Sequence, residues 1–330
     1  MKDRRVESLY QYLDEAALYL EKHWDCTYLE GVAEAGENLF RQEVCQPLEP
    51  EQQKWLLNQV EKLSEQAFAK EEVRKAFQLA VLKGMKGAVQ PHHSMTPDAV
   101  CLFLSYLVNK GLQQRKEPAS LLDLAAGSGN LVHALLNNAI QPLAARGFEV
   151  DETLVKLAYV SANLQENALD LFHQDSIEPL AFPQVDLVVT DLPVGFYPKD
   201  DVAKSYHLQA EEGHSFLHHL MIEQAIQQTK DGGFLYFVVP NFLFESEQAD
   251  RLHTYIKQQA NILGLLQLPK SMFQSETFGR SIFMLQKKGE GVHQPQQALL
   301  AELPSFSNKQ ALADMIEQIN KWYKEQLGMA

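Results

Sequence analysis

Apolar residues recur every three or four positions at the start of the chain, at Val6, Leu9, Leu13, Ala17 and Leu20, and again at Leu56, Val60 and Leu63. This spacing predicts amphipathic helices and no strands. A small helical domain is expected over residues 1–90, its end punctuated by Gly84, Gly87 and Pro91. Thr96-Pro97-Asp98 then has the order of a helix start, a capping hydroxyl, a proline and a first-turn acid, ahead of an apolar run through Leu107.

From Leu121 the pattern changes to short apolar runs alternating with helical periodicity, which predicts βα units on a mostly parallel sheet. Strands are expected at 120–124, 145–150, 168–173, 185–190 and 234–239, with two more at 262–267 and 281–286. Helices are expected at 131–138, 152–167 and 215–230, the last stopped by Asp231-Gly232-Gly233, and an amphipathic helix at 308–326. The reading is a Rossmann-like α/β fold over residues 91–330, with a seven-stranded sheet flanked by helices, behind the helical N-terminal domain.

No run approaches the roughly 18 apolar residues of a membrane span, and the basic N-terminus leads into a charged amphipathic pattern, so a cytoplasmic protein without a membrane partner is expected. Cys26, Cys45 and Cys101 are too few and scattered for a disulfide framework or a CxxC metal site. His214 and His218 have i, i+4 spacing but no third ligand in view, and no metal is expected. The net charge of −14 matters more, because nucleic-acid binders usually carry a basic footprint. A nucleic acid would have to meet a local basic patch, for which Lys199, Lys204, Lys270 and Arg280 are candidates, or a protein partner.

Ligands of open parallel sheets bind beyond the carboxyl ends of the strands. Acids stand there four times, at Asp123, Glu149, Asp175 and Asp191. The loop Ala126-Gly127-Ser128-Gly129 lets the backbone turn sharply and approach a ligand in front of a helix N-terminus. Two cofactor classes use such a loop. A dinucleotide fingerprint needs a third glycine, where this chain has Val132, and its pyrophosphate would be repelled by Asp123. S-adenosylmethionine, with an ammonium and a sulfonium, suits a carboxylate there. Asp123 is then expected near its amino-acid end, Glu149 at the ribose hydroxyls, Asp175 at the adenine amine and Val150 against the adenine ring.

The segment Asp186–Pro198, DLVVTDLPVGFYP, is a hydrophobic strand breaking into a loop with an acid and aromatics. Together with Thr96-Pro97, DLAAGSGN, GFEVD, GGFLYFVVPNFLF and LPKSMFQSETFGRSIF, it resembles the N6-adenine DNA methylases, especially the modification subunits of type I restriction systems, over roughly residues 90–290. The resemblance implies an S-adenosylmethionine-dependent methyltransferase whose cofactor residues are Thr96, Asp123, Ala125, Gly127, Gly129, Asn130, Glu149, Val150, Asp175 and Ser176. It places the catalytic tetrapeptide at Asp191-Leu192-Pro193-Val194. The family reads Asn or Asp, two prolines, then Tyr or Phe, so Leu192 and Val194 depart from it.

In the family mechanism the acid and a backbone carbonyl accept the two hydrogens of the adenine amine, a role that falls to Asp191 and Leu192. The aromatic stacks on a flipped base. Val194 cannot stack, which leaves Phe196 or Tyr197 for that contact. The family's DNA readers also add a target-recognition domain or a specificity subunit, and no room for such a domain is evident. Three functions follow: N6-adenine methylation of nucleic acid, methylation of a protein amide or small-molecule amine, and cofactor binding without turnover by an interaction protein.

Overall fold

The computed structural model describes residues 2–64, 66–86, 95–113, 115, 117–273 and 275–329. The backbone gathers into two compact units. The first takes residues 1–101, 126–138 and 147–173, and the second takes 102–125, 139–146 and 174–330.

The first unit holds helices α1 (Lys2–His23), α2 (Tyr28–Arg41), α3 (Pro50–Ser64) and α4 (Lys70–Met85). Their sequence periodicity becomes one core: Leu9, Leu13, Leu20, Val32, Leu56 and Phe77 are buried in the same cluster as Leu154, Leu157 and Val160. Each such side chain contributes about 1.5–3 kcal/mol on full burial. Thr27 starts α2 through a reciprocal cap, its hydroxyl accepting from the Glu30 amide while the Glu30 carboxylate accepts from the Thr27 amide at 2.7 Å. A Cβ at Gly31 would lie 2.8 Å from the Ala17 carbonyl, so glycine is what lets α2 approach α1 so closely. The helical segment therefore does not keep a core to itself; it shares one with α7 (Glu152–Leu164).

Helix α5 runs Asp98–Leu112, beginning one residue after Pro97. Then follow β1 (Ala119–Asp123), α6 (Asn130–Asn138), β2 (Leu143–Glu149), α7, β3 (Leu169–His173), β4 (Val185–Asp191), α8 (Asp200–Ala203), α9 (Leu217–Gln228), β5 (Thr229–Pro240), α10 (Ala249–Gln259), β6 (Ala260–Gln267), β7 (Arg280–Lys287), β8 (Leu299–Glu302) and α11 (Lys309–Leu327). Within the second unit the strand order is β1-β4-β5-β7-β6-β8. Among the described residues there are eight strands, one more than expected; β8 adds in parallel to β6, with Leu265 opposite Leu300. It is too short for its alternation to be read from sequence.

In the second unit β4 lies between β1 and β5, parallel to both, with Leu122 opposite Val188 and Val188 opposite Leu235. Val185, Leu187, Val188 and Val189 are fully buried, as a central parallel strand covered on both faces requires. β7 is antiparallel to both β5 and β6.

Asp231-Gly232-Gly233 does not stop a helix. α9 ends at Gln228, β5 has begun at Thr229, and the pairing slips between Val185–Thr229 and Leu187–Phe234. Gly232, at φ +75°, absorbs that bulge. Below it Asp186 accepts from the Ser120 amide and hydroxyl, Arg115 and Lys230. Burial opposes its ionisation, but those donors prevail and hold its carboxyl at about 2. Among the described residues no helix is long and apolar enough to cross a membrane.

Candidate functional site

In the first unit the glycine loop is a closed turn: the Gly129 amide donates to the Ala126 carbonyl, and the Ala126 amide to Phe148 at the end of β2, both at 2.9 Å. Gly127 and Gly129 have φ of +54° and +85°, a conformation that costs an L side chain about 1–2 kcal/mol. Their surroundings differ. A Cβ on Gly129 would stand 2.8 Å from His133 Nε2, whereas one on Gly127 meets nothing within 4 Å. Gly129 is packing against α6, and Gly127 borders open space.

His133 shows how tightly the back of the turn is filled. Its Nε2 lies 3.2 Å from the Ala158 carbonyl, which can only accept, so Nε2 carries the proton and Nδ1 accepts from Asn167. Burial lowers its pKa to about 4.

Glu149, at the end of β2, turns onto the loop. Its Oε2 accepts from the Gly127 amide at 2.8 Å, and its Oε1 from the Val150 and Asp151 amides at 2.9 and 3.0 Å. Val150 beside it is 63% exposed, an apolar surface at the edge of the turn. Asn130 opens α6, donating to the Thr96 carbonyl at 2.9 Å and accepting from Arg74 Nη1 at 2.8 Å. Arg74 was not singled out from the sequence. Its guanidinium is 1% exposed and also pairs with Glu71 and Asp98. The one available signal was Glu71 three residues before it on a helix.

In the second unit Asp123 ends β1 almost fully buried, with Oδ1 accepting from the Ala125 amide at 3.2 Å. The Leu124 amide donates to Thr190 Oγ1 at 3.1 Å, tying together the ends of β1 and β4. Asp175 accepts from the Tyr197 hydroxyl at 2.8 Å, from Lys199 Nζ at 3.1 Å and from the Ile177 amide at 3.0 Å. Ser176 is buried next to it, its carbonyl accepting from Gln224. Tyr197 is 3% exposed, and burial together with Asp175 pushes its phenol well above the usual range. It anchors the loop from within.

Phe196 faces the other way, 62% exposed, its ring stacked on Phe216 at 5.0 Å and 21°. The backbone fixes this alternation: Tyr197 N–H donates to Ser215 and Leu217 N–H to Gly195, so the loop runs as a short ladder in which neighbours point opposite ways. Pro193 and Val194 are half-buried at the start of that loop.

Asp191 and Leu192 share a partner. Arg280 Nη1 donates to Asp191 Oδ1 at 2.8 Å and to the Leu192 carbonyl at 3.3 Å. The Leu192 amide is used by Val238 of β5, which orients the peptide. The expected basic rim is largely spent on acids, with Lys199 on Asp175 and Glu178, Lys204 on Asp201, and Arg280 on Asp191.

His218 and His219 are buried in α9, with pKa values lowered to about 4 and 3 by desolvation, Arg280 adding to the effect on His218. His92 and His93, which the sequence places before Thr96, lie outside the described residues. Among the described residues no three metal-ligating side chains gather.

Residues 90–329 match the family model described as N-6 DNA Methylase, and residues 7–85 that of the YtxK N-terminal helical domain. The first match runs past the stretch, to about residue 290, over which the motifs had shown the resemblance. The uncharacterized protein YtxK of Bacillus subtilis (strain 168) is 47% identical over 331 residues, covering 99% of this chain and 100% of that one. A Listeria monocytogenes crystal structure, provisionally classed as a class I S-adenosylmethionine-dependent methyltransferase, is 39% identical with a TM-score of 0.91, covering 98% and 100%. The methyltransferase subunit of a type I restriction-modification system from Streptococcus thermophilus shares the fold at 15% identity, with a TM-score of 0.66 and 96% and 74% coverage.

Proposed function

The chain belongs to the N-6 DNA methylase family of S-adenosylmethionine-dependent methyltransferases, and on that premise we propose that it methylates a planar amine nitrogen, with adenine in nucleic acid as the acceptor class. One observation carries the acceptor chemistry: Asp191 Oδ1 and the Leu192 carbonyl converge on a single nitrogen, Arg280 Nη1. Two acceptors so placed suit a conjugated NH2 group, whose two hydrogens they take while leaving the face of the nitrogen free. An exocyclic amine is a weak nucleophile because its lone pair is delocalised into the ring, and this pair of acceptors returns electron density to it.

The residues fit the family's cofactor. Gly127 borders open space at the turn, Val150 offers exposed apolar surface and Asp123 supplies a buried carboxylate. In this reading Asp123 and Ala125 hold the amino-acid end, Gly127, Gly129, Asn130 and Thr96 shape the loop, Glu149 serves the ribose, and Val150, Asp175 and Ser176 serve the adenine. The cofactor supplies an electrophilic methyl on a sulfonium. Asp191 and Leu192 orient the acceptor amine, Pro193 stiffens the turn, Val194 lines it, and Phe196 stacks on the base. Tyr197 acts one step back, holding Asp175.

The test uses purified chain, labelled S-adenosylmethionine and adenine-containing single- and double-stranded oligonucleotides. Label is expected in the nucleic acid, falling at least a hundredfold in Asp191→Ala. Equal transfer by Asp191→Ala removes the assignment of the seat; label that enters only protein or small molecules of a lysate moves the acceptor to an amide or a small amine. Val194 in the aromatic position favours a second reading, cofactor binding without turnover. A single methylated product eliminates it.

A further inference from the structure

Arg280 is the first residue of β7, and its backbone is held on both sides: it pairs with Pro240 of β5, and its carbonyl accepts from the Leu268 amide at 2.9 Å. Only its side chain is left to move. That side chain gives one nitrogen to both acceptors of the amine seat. A guanidinium Nη is a planar, conjugated NH2 with two hydrogens, which also describes adenine's exocyclic amine. Arg280 thus makes the two hydrogen bonds that an acceptor amine requires.

The pair is largely withdrawn from water, the Arg280 side chain being 25% exposed and that of Asp191 14%. A neutral amine displacing Arg280 would exchange a charge-assisted hydrogen bond for an ordinary one, and would leave the guanidinium without its counter-charge. An acceptor carrying a phosphate near its amine meets a different balance, because the forked guanidinium can pass from carboxylate to phosphate and pair bidentately. Of the four basic residues expected at the rim, Arg280 is the one seated on Asp191 and the Leu192 carbonyl, so it is the cation such an exchange would release.

We infer that Arg280 occupies the acceptor's amine position in the free protein and is a specificity-determining residue, admitting adenine acceptors that bring a phosphate and excluding neutral nucleosides. This rests on the acceptor reading above. The exchange swaps hydrogen bonds and ion pairs and makes no covalent change.

The experiment measures equilibrium binding of adenosine and adenosine 5′-monophosphate, in saturating S-adenosylhomocysteine, to the unchanged full chain, Arg280→Met and Arg280→Lys, with a thermal melt of each. The unchanged chain is expected to bind the monophosphate at least tenfold more tightly than adenosine. Arg280→Met gains at least tenfold for adenosine and loses the preference. Arg280→Lys, which keeps the charge without the fork, narrows the ratio and serves if Arg280→Met does not fold; a ratio equal to that of the unchanged chain overturns the inference. Equal adenosine affinity in the unchanged chain and Arg280→Met also overturns it, with the acceptor reading intact. If none of the proteins binds either adenine ligand while binding S-adenosylhomocysteine, the acceptor reading falls and the inference with it.

Discussion

The Gly127 amide and the Glu149 carboxylate, 22 residues apart in sequence, meet at 2.8 Å. This bond closes the glycine turn onto the end of β2, so the turn's shape and the acid's position are one property. The two glycines nevertheless differ in what they tolerate.

Gly127→Ala is expected to destabilise the fold by about 1–2 kcal/mol, from its left-handed backbone alone, and to weaken S-adenosylmethionine binding at least tenfold. Gly129→Ala adds a clash with His133 and is expected to lose more, about 3 kcal/mol or above. Urea unfolding and titration calorimetry separate the two. Equal stabilities for the variants would contradict the packing described for Gly129.

Arg74→Met should be among the most destabilising single changes in the first unit. It removes the cation shared by Glu71, Asp98 and the Asn130 amide oxygen; because both carboxylates are about a third exposed and Glu71 keeps its bond from Asn137, the expected loss is about 2–3 kcal/mol. The measurement is the shift in the denaturation midpoint. A shift of less than 1 kcal/mol would mean that water replaces the guanidinium at little loss.

Phe196 and Tyr197 should separate binding from stability. Phe196→Ala removes an exposed ring, so stability is expected to change by less than about 1 kcal/mol while affinity for an adenine oligonucleotide falls at least fivefold, given about 1–3 kcal/mol per stacked base. Tyr197→Phe should lower stability by about 1.5–3 kcal/mol, the usual worth of a hydrogen bond to a charged group. The opposite assignment of effects would show that the loop turns over when substrate binds.

Acid should weaken the fold well before its carboxylates titrate. His133, His218 and His219 have folded pKa values of about 4, 4 and 3, below the ordinary 6.5. The unfolded chain therefore takes up protons first, and stability present above pH 6.5 is lost as pH falls toward 4. At pH 5 each histidine accounts for about 2 kcal/mol. Asp186, lowered to about 2, keeps its stabilisation down to about pH 4 and loses it only between there and 2, so it plays no part in the earlier fall. Denaturation midpoints at pH 7.5 and 5.0 test this; equal midpoints would require the histidines to be charged in the fold.

What could be read from the sequence was whatever has a local cause. Val185, Leu187, Val188 and Val189 read as a strand because a central parallel strand is apolar on both faces, and Gly127 and Gly129 read as a turn because few other residues adopt positive φ. The partnerships were not local. Arg74 finds Asn130 56 residues away, and Arg280 finds Asp191 across 89, so Arg74 did not stand out in the sequence and Arg280 showed only as a candidate for a basic rim. Asp231-Gly232-Gly233 misled for a related reason. The same residues that end a helix also absorb a bulge, and only the pairing with β4 decides between them.

One strand runs against its neighbours. Because β7 is antiparallel to β5 and β6, it brings its first residue to the rim where β4, β5 and β6 bring their last. The connection from β6 to β7 therefore has both its ends pinned in the sheet at that rim, the Leu268 amide donating to the Arg280 carbonyl. Such a connection can change in length or composition while the strands that anchor it stay still, so this rim can vary without disturbing the scaffold that folds the protein.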